Sequence, residues 1–232
     1  MKFIVGNWKM NGTPDKKSAM IRALSETQTK NTVILCLPFT LLGGDNKNVT
    51  IGAQDISEHE NGPYTGDISG QMIADTGAKY VIVGHSERRF NHHETNETVH
   101  AKAAAAIRHN LIPIICVGET LDEHKSNKTF DVVRKMLDVC LPESGEFIVA
   151  YEPRWAIGTG KTPTIDEVKK IHQMIYEYLN VHGHTTTPIL YGGSVNKTNA
   201  SDFANIPHVD GLLIGGASLE SETFLPIIKS VN

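Results

Sequence analysis

The chain has 232 residues, 40% hydrophobic and 21% charged, which is enough apolar material for one large core and, by length, one or two domains. A formal net charge of -4 with acids and bases interspersed leaves no basic stripe, so neither nucleic acid nor an anionic membrane surface is an expected partner. The opening MKFIVGNWKMNG has an apolar run too short for a secretory signal and broken by Asn7 and Lys9, and no segment reaches membrane-spanning length, so a cytoplasmic protein is expected.

In chain order, the first strand is expected over Phe3 to Trp8, and a helix begins near Pro14. The second strand covers Thr32 to Leu37 and the third Val49 to Gln54, joined after Phe39 through TLLGGDNKNVT. This link is rich in turn formers and too short for a regular helix with two loops, so the second outer helix is expected to be shortened or absent. A helix near Ile68 leads to the fourth strand, Tyr80 to His85, and one near Glu94 leads to the fifth, Ile112 to Val117. A helix near Asp122 precedes the sixth strand, Phe147 to Tyr151. The clearest helix follows, Thr164 to Leu179, with Thr164 as N-cap, acids in its first turn, and Val168, Ile171, Ile175 and Leu179 along one face. The seventh strand is Pro188 to Tyr191, the eighth Gly211 to Ile214, and helices begin near Asn196 and Ser221.

Most of these runs are continuously apolar without alternation, which favours parallel strands buried on both faces. Eight strands alternating with helices in this length fit a closed (β/α)8 barrel; an open doubly wound sheet is the runner-up. No linker or change of composition divides the chain, so a single domain over residues 1–232 is expected. The three cysteines are far apart in sequence, and Cys36 and Cys116 lie in apolar runs, which reads as reduced, buried thiols. His92-His93 and the His182, His184 pair lack an accompanying acid or cysteine cluster, so no metal site is expected.

In a barrel of this kind the chemistry collects at the carboxyl ends of the strands. The first strand ends in Asn7 and Lys9, the fourth in His85 followed by SERR, and the sixth in Glu152. The seventh ends in Gly192, Gly193 and Ser194, and the eighth in Gly215 and Gly216. A carboxylate, an imidazole, an ammonium and a carboxamide facing glycine-rich turns could abstract a proton beside a carbonyl while backbone amides hold a phosphate. Past Glu152 the chain enters a loop stiffened by Pro153 and Pro163 but glycine-containing in the middle, suited to moving as a unit.

Five blocks, NWKMNG (Asn7 to Gly12), GHSERR (Gly84 to Arg89), AYEPRWAIGTGK (Ala150 to Lys161), YGGSV (Tyr191 to Val195) and DGLLIGGASL (Asp210 to Leu219), resemble the triosephosphate isomerase family in order and at each strand end. The resemblance covers essentially the whole chain and implies a TIM barrel that interconverts dihydroxyacetone phosphate and D-glyceraldehyde 3-phosphate. By the same resemblance, Glu152 is the proton-shuttling base and His85 a neutral electrophile. The SER start of a helix after His85 is expected to lower the imidazole pKa through its amides. Lys9 is expected to stabilise the enediolate and the dianion, Asn7 to orient substrate oxygens, and Glu87 to support the site. Amides near Gly158, Ser194, Gly215 and Gly216 would grip the phosphate, with Ala156 to Gly160 closing as a lid. No cofactor and no metal are implied.

Two lid hinges depart from the family pattern. Arg154 stands where valine is usual and Pro163 where a small residue is usual, which predicts a modest kinetic effect. NGPYTGDIS, Asn61 to Ser69, resembles the dimer-forming loop, with Asp67 for the usual Glu, and implies a homodimer in which Thr65 reaches the partner near its Asn7 and Lys9. The rival readings are a catalytically silent barrel that binds phosphorylated metabolites, and a barrel isomerase for a larger sugar. Retention of Asn7, Lys9, His85 and Glu152 together counts against the first, because a binder needs no base. The tight NWKMNG and GTG motifs count against the second.

Overall fold

The computed structural model describes residues 1–47, 49–157 and 162–231. Eight strands, β1 (Phe3–Asn7), β2 (Thr32–Leu37), β3 (Thr50–Ala53), β4 (Tyr80–Val83), β5 (Ile112–Val117), β6 (Ile148–Tyr151), β7 (Ile189–Tyr191) and β8 (Gly211–Ile214), pair in sequence order. Every pairing is parallel, and the first strand closes on the last with Phe3 opposite Gly211. That closure sets aside the open doubly wound sheet. Several strands are a residue or two shorter than expected: Trp8, Gln54 and His85 lie past the ends of β1, β3 and β4.

Around the barrel stand α1 (Pro14–Ser25), α2 (Gly70–Asp75), α3 (Ser86–Asn91), α4 (Asn96–Arg108), α5 (Leu121–Lys125), α6 (Thr129–Cys140), α7 (Ile165–Val181), α8 (Ala200–Ala204) and α9 (Ser221–Ser230). The segment expected to begin near Asp122 is two helices, broken at Asn127, whose φ of 56° is left-handed. The helix expected near Asn196 begins only at Ala200, since Asn196 caps the preceding turn through its own side chain. Among the described residues between β2 and β3 there is only a 3-10 turn, Phe39–Leu41, in keeping with the short link. Leu41 and Leu42 bury themselves there, and Lys17 Nζ reaches across from α1 to the Gly43 carbonyl at 2.6 Å. A loop fastened by one lysine thus fills the place of an outer helix. At α7, Thr164 and Glu167 form a reciprocal capping box that fixes where the helix starts.

Side chains alternate along a strand. Val5, Ile34, Cys36, Ile82, Ile114, Cys116, Ile148, Ala150, Leu190 and Leu213 fill the interior as one cluster. Their neighbours of opposite parity, such as Ile4, Leu35, Val81, Ile115 and Val149, pack outward against the helices. All three cysteines are buried free thiols. The parity matters for function: two residues beyond Val5 and Ala150 stand Asn7 and Glu152, and two beyond Leu190 and Leu213 stand Gly192 and Gly215. The same inward rows that build the core therefore deliver polar groups, or gaps, at its upper end.

One buried histidine gives the fold a pH signature. His172 on α7 is fully enclosed, its Nδ1 2.9 Å from the His208 carbonyl, and burial pushes its pKa from 6.5 down to about 4. Nδ1–H donates to that carbonyl, so the folded ring is neutral. The unfolded chain takes up this proton before the folded one does. The stability due to it is therefore complete above about pH 6.5 and is lost as the pH falls toward 4. Denaturant unfolding should show the wild type losing about 2 kcal/mol more than His172→Phe between about pH 7 and pH 4.5. Equal losses would contradict this origin.

Candidate active site

The barrel mouth holds a cavity of about 180 Å³ lined by Asn7, Lys9, His85 and Glu152 on one side and by Gly192, Gly193, Ser194, Gly215 and Gly216 on the other. Seven of the expected site residues, from five strand ends, thus meet in one place. Gly158 lies outside the described residues, as does most of the expected lid. Glu87 stands at the rim, and Thr65 is on an exposed loop outside this cavity.

Asn7 and Lys9 are presented by a turn that local chemistry holds in a costly shape. Lys9 has a φ of 52°, in the left-handed region that a side chain disfavours. Its amide donates to Asn7 Oδ1 at 2.9 Å, and between them the buried Trp8 indole donates to the Ser218 carbonyl at 3.0 Å. The turn therefore aims Lys9 Nζ across the mouth, where Glu87 Oε1 holds it at 2.5 Å.

Glu152 is only 2% exposed. Its Oε2 accepts the Ser86 amide at 3.1 Å, and its Oε1 lies 3.1 Å from His85 Nε2. Burial alone would raise its pKa, but His85, the Ser86 amide and the Lys9 ammonium together outweigh burial and hold it below 4.5. The carboxylate is therefore ionised and hydrogen-bonded on both oxygens.

His85 caps α3, and the Glu87 amide donates to its Nδ1 at 3.2 Å. That leaves Nδ1 a lone pair and places the ring proton on Nε2, facing Glu152. The sequence pointed to a net lowering of the imidazole pKa. Burial does act downward, but the carboxylate in contact acts upward and prevails in this arrangement, so the net direction is up. The cause is plain: burial and the Lys9 ammonium disfavour the imidazolium, and the contacting Glu152 carboxylate, with Glu87 behind it, favours it more.

Glycine is required where the strands leave gaps. A Cβ at Gly192 would lie 2.9 Å from Glu152 Cγ, and one at Gly215 would lie 3.2 Å from Lys9 Cε. Beside them the turn Gly216–Ser218 opens with amides that, as at any helix start, have no acceptor within the turn. Ser194 Oγ donates to the Ala156 carbonyl at 2.6 Å and so ties the glycine-rich wall to the segment that follows Glu152.

Several supporting residues escaped the sequence reading. Glu119, just past β5, is fully buried and accepts from Tyr151 Oη at 3.2 and 3.1 Å and from Trp155 Nε1 at 2.8 Å. It was detectable as the polar residue after an apolar run, the same signal that marked Glu152. Arg89 donates to the Gly84 and Cys116 carbonyls at 2.7 and 3.1 Å, locking the end of β4 to that of β5. Arg88 and Lys102 each pair with both Asp55 and Glu94, at 2.5 to 2.8 Å, and thereby tie α3 and α4 to the end of β3. Side chains so far apart in sequence give no local pattern to read.

The family model described as triosephosphate isomerase matches residues 2–231. The triosephosphate isomerase of Bradyrhizobium sp. (strain ORS 278) is 44% identical over 242 residues, covering 98% of this chain and 96% of that one. That of Alkaliphilus oremlandii is 42% identical, covering 98% of both chains. The crystal structure of triosephosphate isomerase from Bartonella henselae superposes with a TM-score of 0.89 at 40% identity, covering 99% of this chain and 98% of that one. This chain belongs to the triosephosphate isomerase family. Within that family frame, the closed mouth pair of Glu152 and His85 depends on the absent side chain at residue 192. A crystal structure of Gly192→Ala is expected to show the His85 Nε2 to Glu152 Oε1 separation opened beyond about 3.5 Å, outside hydrogen-bond range. An unmoved pair would contradict the space argument.

Proposed function

We propose that the chain, acting as one domain over residues 1–232, interconverts dihydroxyacetone phosphate and D-glyceraldehyde 3-phosphate through an enediolate in the cytoplasm. The observation that carries the proposal is the buried, ionised Glu152 in contact with a ring N–H of His85, with Lys9 and Asn7 beside them and a glycine-rich wall opposite.

The chemistry follows from these positions. Glu152 takes the proton from the carbon beside the carbonyl, and that C–H electron pair becomes the enediolate double bond. Negative charge moves onto the carbonyl oxygen, where His85 Nε2–H and Lys9 Nζ stabilise it and Asn7 fixes its direction. His85 relays a proton between the two substrate oxygens, and Glu152 returns its proton to the adjacent carbon. The oxidation level of one carbon rises as the other falls, so an internal exchange of this kind needs no hydride carrier or Lewis acid. To reach substrate, Glu152 must give up His85 and the Ser86 amide. That departure removes the largest influence raising the His85 pKa and leaves burial and Lys9 opposed by Glu87 alone, which favours the neutral ring the reaction uses. The phosphate is assigned to the amides near Ser194, Gly215 and Gly216, where glycine permits close approach. The fourth expected amide, Gly158, and the lid it belongs to lie outside the described residues. Arg154 opens the 3-10 turn Arg154–Ala156, and Pro163 is buried beside Trp155 against the start of α7. Arg154→Val and Pro163→Ala are expected to change turnover modestly.

A coupled assay with purified protein and D-glyceraldehyde 3-phosphate tests the reading. Glu152→Gln should lower kcat by about 10² to 10⁴ fold, the usual worth of a positioned general base. His85→Gln should cost about 10² to 10³ fold, as for loss of an oxyanion donor. Turnover unaffected by Glu152→Gln would remove that residue from the mechanism.

We further propose a homodimer in which Thr65 approaches the mouth of the partner. The loop that presents Thr65 is exposed but internally fastened: His59 stacks on Tyr64 at 3.8 Å, and Ser57 Oγ donates to Asp67 at 2.8 Å. Next to Lys9, Met10 is 96% exposed, an apolar side chain suited to an interface. Sedimentation at micromolar concentration is expected to show a dimer, and a fully active monomer would contradict it.

A further inference from the structure

Glu119 is 0% exposed, and among the described residues each donor that reaches its carboxylate within hydrogen-bond distance, the Tyr151 hydroxyl and the Trp155 indole N–H, is neutral. A buried carboxylate held by neutral donors alone is costly, and a nearby cation offsets that cost. Among the described residues, one basic group lies within ion-pair range: His124, whose Nδ1 is 3.6 Å from Glu119 Oε1. The same imidazole lies flat on Trp155, with centroids 4.4 Å apart and planes inclined by 25°, and its Nε2 is 3.9 Å from Glu167 Oε1. One ring on α5 therefore touches the end of β5, the turn that follows Glu152, and the first turn of α7.

We infer that His124 is a positioning residue for Glu152: its ring plates Trp155 and, when protonated, supplies the counter-charge to the buried Glu119 on which Trp155 hangs. This rests on the isomerase reading above. The mechanical path is short. Glu152 is three residues before Trp155, and the Arg154 amide donates to the Glu119 carbonyl at 3.1 Å. From the other side Ser194 holds the Ala156 carbonyl, so the turn Arg154–Ala156 hangs between two anchors. The phosphate proposed to bind near Ser194 competes for the inner anchor. The outer one, Glu119 with His124, is then the pivot that keeps Glu152 aimed.

Imidazole is the side chain that changes charge between about pH 5 and 8. Among the described residues, the charged and titratable groups that pair with it or line the same pocket are Glu119 after β5, the Tyr151 hydroxyl of β6, and Glu167 and Lys170 of α7, with Glu123 next to it in its own helix. Glu123 and Glu167 are each committed to a capping box, which fixes their positions. The sign rests on general chemistry: an imidazolium attracts a carboxylate and a neutral imidazole does not. His124→Arg keeps a cation at every pH, and His124→Phe keeps an aromatic plate without charge.

The test measures kcat and KM from about pH 5 to 9 for the wild type and both variants, together with tryptophan emission, which a contacting imidazolium quenches. The ratio of kcat in His124→Arg to kcat in wild type should rise about two- to five-fold from acid to alkaline pH, the size a partly exposed ion pair supports, with KM unchanged. His124→Phe should lack the emission step that wild type shows over the same range. A kcat ratio flat with pH, or an emission step persisting in His124→Phe, overturns the inference. A wild type inactive at every pH refutes the isomerase reading instead, and the emission step then decides the pairing of His124 by itself.

Discussion

A carboxylate enclosed at the end of a parallel barrel has to be stabilised in its charged form, and most of the mouth is arranged around that requirement. Glu152 sits on the inward row of β6, where Ile148 and Ala150 below it belong to the core. Its depth follows from strand parity, and its charge is supported by His85, the Ser86 amide and Lys9. These come from the links after β4 and after β1, neither of which adjoins β6. The constellation at the mouth is therefore a property of barrel closure, since no two neighbouring strands could assemble it.

Room for that side chain is made by what is missing. Gly192 and Gly215 stand on the inward rows of β7 and β8, where any Cβ would press on Glu152 or Lys9. The same bare backbone exposes the amides proposed to hold a phosphate. Behind the mouth, a second set of polar contacts fixes the supports. Arg89 joins the ends of β4 and β5, the quartet of Asp55, Glu94, Arg88 and Lys102 fixes α3, and Glu119 suspends Trp155. Residues that touch substrate in the proposed mechanism thus have little freedom of their own, which lowers the entropic cost of reaching a reactive geometry.

The legibility of this arrangement varied with how local its cause was. Continuous apolar runs announced all eight strands, and the absent helix between β2 and β3 was visible as a link too short to hold one. Asn7, His85, Glu152 and the glycine pairs were readable because each is the first group past an apolar run. Glu119 obeys the same rule, yet its importance depends on Tyr151 and Trp155, which only the folded chain brings to it. The net pKa direction of His85 was not readable at all. It depends on a 3.1 Å contact between residues 67 positions apart, and helix-start chemistry by itself suggests the opposite sign. The break between α5 and α6 rests on one left-handed asparagine, a conformation that composition does not announce.

The central claim is that Glu152, though buried, is held as a carboxylate by the groups around it. The direct measurement is a ¹³C NMR titration of its side-chain carboxyl in the ligand-free protein, assigned by difference against Glu152→Gln. The account predicts a resonance that stays ionised down to below pH 4.5, the ordinary value for a glutamate. A carboxyl that is already protonated well above that pH would mean that burial wins over His85, the Ser86 amide and Lys9, and would contradict the account.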